Sequence, residues 1–115
     1  MTRRRILIVE DEFFIAENCA SVVEEAGFEV AGPYSKLGDV PQELSGISGA
    51  ILDLNVCGVS AYPLIDRLLE MNIPVTLYTG YDSHGCPKKY EKVPRVMKPT
   101  PCLDAVKDLM RQLPS

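Results

Sequence analysis

The sequence predicts an α/β domain in which a parallel sheet carries helices on both faces. Short, continuously apolar runs alternate along the chain with helix-length amphipathic stretches, as expected for buried strands joined by crossover helices. At 115 residues the chain fits one core. With no repeat, low-complexity stretch or linker in sight, a separate output domain is not expected.

Residues 5–9, Arg-Ile-Leu-Ile-Val, form the first predicted strand. A helix is expected over 12–26, where Ile15, Cys19, Val22, Val23 and Ala26 recur at helical spacing and Gly27 offers a left-handed cap. A weaker strand follows at 28–31, broken by Gly32 and Pro33. A polar helix is then expected within 35–45, although Gly38 and Pro41 disfavour it. The third strand is placed at 49–53. After a Gly-containing loop comes a helix over 60–71 whose inner stripe is Leu64, Ile65, Leu68 and Leu69. Strands four and five fall at 74–78 and 93–97. Thr100 and Pro101 supply an N-cap and a first-turn proline for a last helix with Leu103, Val106, Leu109, Met110 and Leu113 facing inward.

Composition narrows the function. A hydrophobic fraction of 46% with 24% charged residues fits a globular protein, and no segment has the length of a membrane span. The basic run Arg3 to Arg5 precedes only four apolar residues before Glu10, too few for a secretory signal. The net charge of -4 makes nucleic acid a poor partner and a divalent cation a better one. The four cysteines, Cys19, Cys57, Cys86 and Cys102, contain no C-x-x-C pair, which argues against a zinc knuckle or a disulfide framework. Reduced thiols and a cytoplasmic location are the expectation.

In open parallel sheets, ligands bind beyond the carboxyl ends of the strands. Here strand one ends in Glu10 and Asp11, strand three in Asp53, strand four in Thr79 and strand five in Lys98. Taken singly, Asp11 could be a helix N-cap, Asp53 a turn residue, Thr79 a strand residue and Lys98 a surface lysine. Their shared edge is the signal. Converging carboxylates repel by about 4 kcal/mol per pair at about 4 Å, so positive charge is required. Lys98 supplies part of it and Mg2+ or Mn2+ the rest, with Asp11, Asp53 and the Asn55 backbone carbonyl as direct ligands and Glu10 acting directly or through water. Asp53 is then a nucleophile toward phosphorus, Thr79 can hydrogen-bond a phosphoryl oxygen, and Gly80 leaves room for a backbone N–H to approach another.

These residues, from Ile6 to Leu113, resemble the receiver domain of two-component response regulators. The resemblance implies a CheY-like, flavodoxin-like sheet of five parallel strands in the order 2-1-3-4-5. It further implies a phosphoacceptor at Asp53, an acidic metal pair at Glu10 and Asp11, a switch hydroxyl at Thr79 and a phosphate-binding lysine at Lys98, with Lys98-Pro99 cis. The implied donor is a sensor histidine kinase or phosphotransfer protein. Downstream is a protein target of unspecified identity, with no direct nucleic-acid contact and no membrane insertion.

Three features depart from the family pattern. Arg95 stands where receivers usually carry an aromatic switch residue, leaving Tyr81 or Tyr78 to take that part; Leu77 to Tyr81 looks like a receiver subclass with an aromatic-x-Thr-Gly-aromatic signature. Gly85 and Pro87 should stunt the fourth helix. The loop after Asp53 carries Cys57 and Ala61 in place of the usual residues, and Cys57 reads as packing. His84, in a Gly- and Pro-rich stretch, reads as solvent-exposed.

The expected function is a stand-alone receiver that assists only its own phosphorylation and dephosphorylation and is otherwise no enzyme. It would signal through phosphorylation-dependent contacts, or act as a relay intermediate or phosphate sink. The alternative is a receiver-like scaffold that works without phosphorylation. An aspartyl-phosphate phosphatase is disfavoured because Asn55 occupies the place of a second acid, and a flavin site because acids replace a phosphate loop after strand one.

Overall fold

A computed structural model describes residues 3–80 and 86–114. Five parallel strands form its main sheet: β1 (Arg5–Val9), β2 (Glu29–Tyr34), β3 (Gly49–Leu52), β4 (Val75–Thr79) and β5 (Arg95–Met97). Their spatial order is β2-β1-β3-β4-β5, as expected. The interior strand β1 explains the arrangement. Ile6, Leu7, Ile8 and Val9 are at most 1% exposed, and alternate residues enter opposite layers. Ile6 and Ile8 meet α1 (Phe13–Glu25) and α3 (Cys102–Gln112), while Leu7 and Val9 enter the layer that contains α2 (Tyr62–Glu70). Each such side chain contributes roughly 2 kcal/mol by burial.

The inner face of α1 is Ala16, Cys19 and Val23, with Ile15 and Val22 half-buried and Ala26 exposed. Ala26 forms the C-cap, and Gly27 follows in the left-handed region at φ 95°. On α3 the buried stripe is Cys102, Ala105, Val106 and Leu109. Leu103 and Met110, expected inside, are each 45% exposed. Each follows a buried residue, Cys102 and Leu109 respectively, and so lies about 100° round the helix from it. The helix starts one residue later than expected because Pro101, with ψ 143°, is still extended. Thr100 therefore makes no cap; its N–H bonds the Met97 carbonyl and its carbonyl accepts the Tyr78 hydroxyl. Leu69 of α2, at 39% exposure, likewise lies outside the inner stripe.

No helix fills 35–45. A 3-10 turn at Leu37–Asp39 is all that forms, and Val40 and Leu44 are buried from irregular backbone. Gly38 and Pro41 account for this, since one weakens a helix interior and the other cannot donate to it. The stunted fourth helix is likewise a 3-10 turn, Lys88–Tyr90, among the described residues. The loop after β3 holds an unexpected hairpin, Asn55–Val56 against Val59–Ser60, turning at Cys57 (φ 53°) and Gly58 (φ 79°). Two successive positive φ values suit a two-residue hairpin turn.

The cysteine expectation needs correction. Cys19 and Cys102 form a disulfide, with Cα atoms 5.7 Å apart across 83 residues of chain. Their proximity depends on α1 and α3 lying side by side, which no local spacing encodes. Cys57 and Cys86 are free. Among the described residues no helix is long and apolar enough to cross a membrane.

Strand β2 runs further than expected, through Gly32 and Pro33, because a bulge against β1 between Leu7 and Val9 absorbs them. The Gly32-Pro33 bond is cis, as is the predicted Lys98-Pro99 bond. Gly32 has φ 103°, and a Cβ there would lie 2.7 Å from the Tyr34 nitrogen and 3.0 Å from the Ile8 carbonyl oxygen. Beyond the bulge, the Tyr34 carbonyl accepts the Glu10 N–H at 3.0 Å. The bulge thus seats the first acid. Gly27 also has positive φ, but has open space around it. Gly27→Ala is expected to cost about 1 kcal/mol through backbone strain, and Gly32→Ala about 3 kcal/mol because a backbone clash is added. Chemical denaturation of the two variants measures the difference.

Candidate functional site

The site follows from register. Val9 pairs with Leu52 across β1 and β3, so Glu10 and Asp53, each one residue later, leave the sheet side by side. Thr79 pairs with Met97 across β4 and β5, and the Lys98 N–H bonds the Thr79 carbonyl at 2.9 Å. From that anchor the lysine side chain spans β4, its ammonium 5.7 Å from the Tyr78 ring centroid. It ends between the acids, 2.8 Å from Glu10 Oε1 and 2.9 Å from Asp53 Oδ2. Glu12 stands 3.9 Å from the same ammonium at the exposed rim.

Asp11 is held differently. The helix cap is Glu12, which makes no side-chain cap bond, so the N-cap role considered for Asp11 is not the one it has. Its Oδ2 instead accepts the Cys57 N–H at 2.8 Å. The hairpin turn supplies that donor, and the Asn55 side chain stabilises the turn by accepting the Gly58 N–H at 2.9 Å. A backbone donor leaves no side-chain signature, which is why Cys57 was assigned only to packing. Ligand oxygens of Glu10, Asp11 and Asp53 all lie within 4.8 Å of one another. Together with Glu12, Asn55, Gly80 and Lys98, Asp11 and Asp53 line an open cleft at the carboxyl edge of the sheet.

Solved structures bring the fold into focus. The chain superposes on the receiver domain of HemR from Leptospira biflexa with a TM-score of 0.79 at 16% identity, covering 96% of this chain and 94% of that one. SdrG from Sphingomonas melonis Fr1 gives 0.78 at 26% identity over 96% and 95%. CheY4 of Vibrio cholerae gives 0.76 at 18% over 97% and 100%. The chain has the receiver fold. No protein-family model matches the sequence, and no curated protein does.

Within this receiver fold the strand-end residues separate into two groups. Glu10, Asp11, Asp53 and Lys98 converge, with Asn55 alongside. Thr79 ends β4 as expected, but its side chain is fully buried, and Gly80 forms that part of the cleft wall. Tyr78 is also fixed, 7% exposed with its hydroxyl donating to the Thr100 carbonyl at 2.6 Å. Arg95 is half-buried and donates to Cys86 Sγ at 3.5 Å. In the subclass signature, Leu77 occupies the first aromatic position. Tyr81 and His84 lie outside the described residues.

Electrostatics distinguishes the two acids of the pair. Burial raises Glu10 above its ordinary 4.5, against hydrogen bonds from Lys98 and the Glu12 N–H. The folded protein therefore binds this proton before the unfolded chain does as pH falls. That contribution to stability is complete below about pH 4.5 and disappears as pH rises through the folded value. Asp11 behaves in the opposite way: the Cys57 N–H holds it below 3.8, and its contribution is lost as pH falls through the depressed value. For Lys98, burial disfavours the charge, but hydrogen bonds to Glu10 and Asp53 outweigh it and keep the group above 10.5.

Lys98→Met leaves two buried carboxylates without their shared cation. In metal-free buffer at neutral pH the variant should lose about 3 kcal/mol. Glu10 should titrate higher than in the parent protein, and the deficit should shrink as acid protonates Glu10. Carboxyl titration by NMR with parallel denaturation curves checks both effects.

Proposed function

We propose that this chain is a phosphoacceptor receiver in which Asp53 takes a phosphoryl group from a phosphohistidine on a sensor kinase or phosphotransfer protein. The observation that carries this reading is the single ammonium of Lys98 bridging Glu10 and Asp53 beside Asp11. Three carboxylates and one ammonium leave two negative charges uncompensated, and all the donors are hard oxygens. Such a set fits Mg2+ or Mn2+. Asp11, Asp53 and the Asn55 carbonyl would hold the ion, with Glu10 direct or through water. When bound, the ion supplies charge neutralisation on the phosphoryl oxygens.

The protein's own groups do the rest. A carboxylate oxygen of Asp53 attacks phosphorus, and the P–N bond breaks with its electron pair leaving on the donor imidazole. The Asn55 N–H, 3.4 Å from Asp53 Oδ1, helps orient the nucleophile. Lys98 holds Oδ2 beforehand and pairs with a phosphoryl oxygen once the carboxylate charge has become an acyl phosphate. Thr79 would turn its hydroxyl toward another phosphoryl oxygen, coupling acceptor to surface, with Tyr81 a candidate reporter. Turnover is confined to the chain's own aspartyl phosphate, and the work is done in a cytoplasm.

Incubation with Mg2+ and acetyl phosphate should add one phosphoryl group, about 80 Da by mass, and Asp53→Asn should abolish the gain. A folded protein that never gains mass overturns the reading. With millimolar affinity, about 10 mM Mg2+ should stabilise the parent by about 1.4 kcal/mol and Asp11→Asn by much less, read from melting curves.

Docking of a protein donor has its own marker. Phe13 and Phe14 are 67% and 84% exposed at the start of α1, directly after the acids. Replacing both by Ala should slow transfer from a phosphorylated protein donor about tenfold while leaving acetyl phosphate labelling unchanged. A scaffold working without phosphorylation is the second reading, favoured by Arg95 at the aromatic switch position. It requires partner binding that Asp53→Asn leaves untouched.

A further inference from the structure

The α1/α3 layer contains a covalent link that phosphoryl transfer does not use. Cys19 lies in the middle of α1 and Cys102 is the first residue of α3; they are 1% and 0% exposed. Each helix leads directly from one wall of the cleft. Phe13 opens α1 two residues after Asp11, and Cys102 opens α3 four residues after Lys98. The disulfide therefore ties the segment carrying the acidic pair to the segment carrying the lysine. Around the bond the two helices also meet through side chains of one apolar layer, Ala16, Ala20 and the half-buried Ile15 on α1 and Ala105 and Val106 on α3.

We propose that Cys19 and Cys102 form a reversible dithiol–disulfide couple that locks α3 onto α1 when oxidised and, when reduced, lets the Lys98 wall of the cleft shift against the Asp11 wall. The chemistry is thiol–disulfide exchange with a dithiol reductant. A reductant thiolate attacks one sulfur, the S–S bond breaks, and the other cysteine leaves as a thiolate. The second reductant thiol then displaces the mixed disulfide, leaving two cysteine thiols and the reductant as its own disulfide. Since both sulfurs are buried, exchange follows local opening of α3 and is slow. This inference stands on the geometry of the helices and is independent of phosphoryl transfer.

The test equilibrates the protein across dithiothreitol redox buffers, alkylates it in denaturant and counts modified thiols by mass, alongside melting curves and amide NMR spectra. The oxidised form should show two reactive thiols, Cys57 and Cys86, and the reduced form all four cysteines. Reduction should lower the melting temperature by about 10 °C and move the amide resonances of Asp11, Glu12, Lys98 and Thr100. Cys102→Ala, or Cys19→Ala if the first fails to fold, should show the reduced behaviour in every buffer. Four reactive thiols at every ratio would overturn the proposal. So would a reduced form whose melting point and cleft resonances match the oxidised one, or a redox response that persists in the alanine variant.

Discussion

Everything at the carboxyl edge depends on one ammonium held between two buried carboxylates. Glu10 and Asp53 would repel by about 3 kcal/mol at the separations seen here, and Lys98 turns that repulsion into a bridge. The arrangement works only if three strands end level with one another and the lysine crosses a fourth. A parallel register fixed by apolar pairs such as Val9 with Leu52 provides that alignment. A slip of one residue would exchange core and surface side chains along a strand, so the apolar core and the charged site enforce the same register.

The two faces of the sheet are sealed by different means. One is covered by α1 and α3 at close range: a Cβ added at Gly49 on β3 would lie 3.2 Å from Leu109 and 3.3 Å from Leu113. Among the described residues the other has α2 alone as a full helix, and loops and a 3-10 turn supply Val40, Leu44, Tyr90 and Val93. Tyr90 stacks on Tyr62 with ring centroids 4.3 Å apart, and its hydroxyl donates to Asp66 at 2.8 Å. An aromatic pair of this kind contributes about 1 kcal/mol beyond its burial. Side-chain stacking on a 3-10 turn thus closes the layer at the place where the fourth helix was expected to be stunted.

How much was legible in the sequence follows from how local each signal is. The strands and the convergence of Glu10, Asp11, Asp53 and Lys98 were readable because each apolar run is punctuated by the residue it delivers to the edge. The inward face of α3 was not, since Leu103 and Met110 directly follow Cys102 and Leu109, and packing against the sheet decides which of two adjacent apolar residues turns inward. The Cys57 N–H on Asp11 was hidden because backbone donors carry no residue signature. The Cys19–Cys102 bond was hidden because it exists only once distant helices are neighbours. Gly38 and Pro41 did announce the missing helix, and the polar stretch around them was the weaker guide.

Both outer strands of the sheet are marked by proline. β2 carries Pro33 inside it, and the three residues of β5 lie between Pro94 and Pro99. Proline has no N–H to offer an incoming strand, and a short or bulged edge cannot hold one in register. The sheet is therefore a poor template for adding strands from other chains, which guards a small protein with a nearly all-apolar central strand against edge-to-edge aggregation. It also means that partners must recognise this molecule through the side chains of its helices and loops, leaving the sheet itself as a rigid frame.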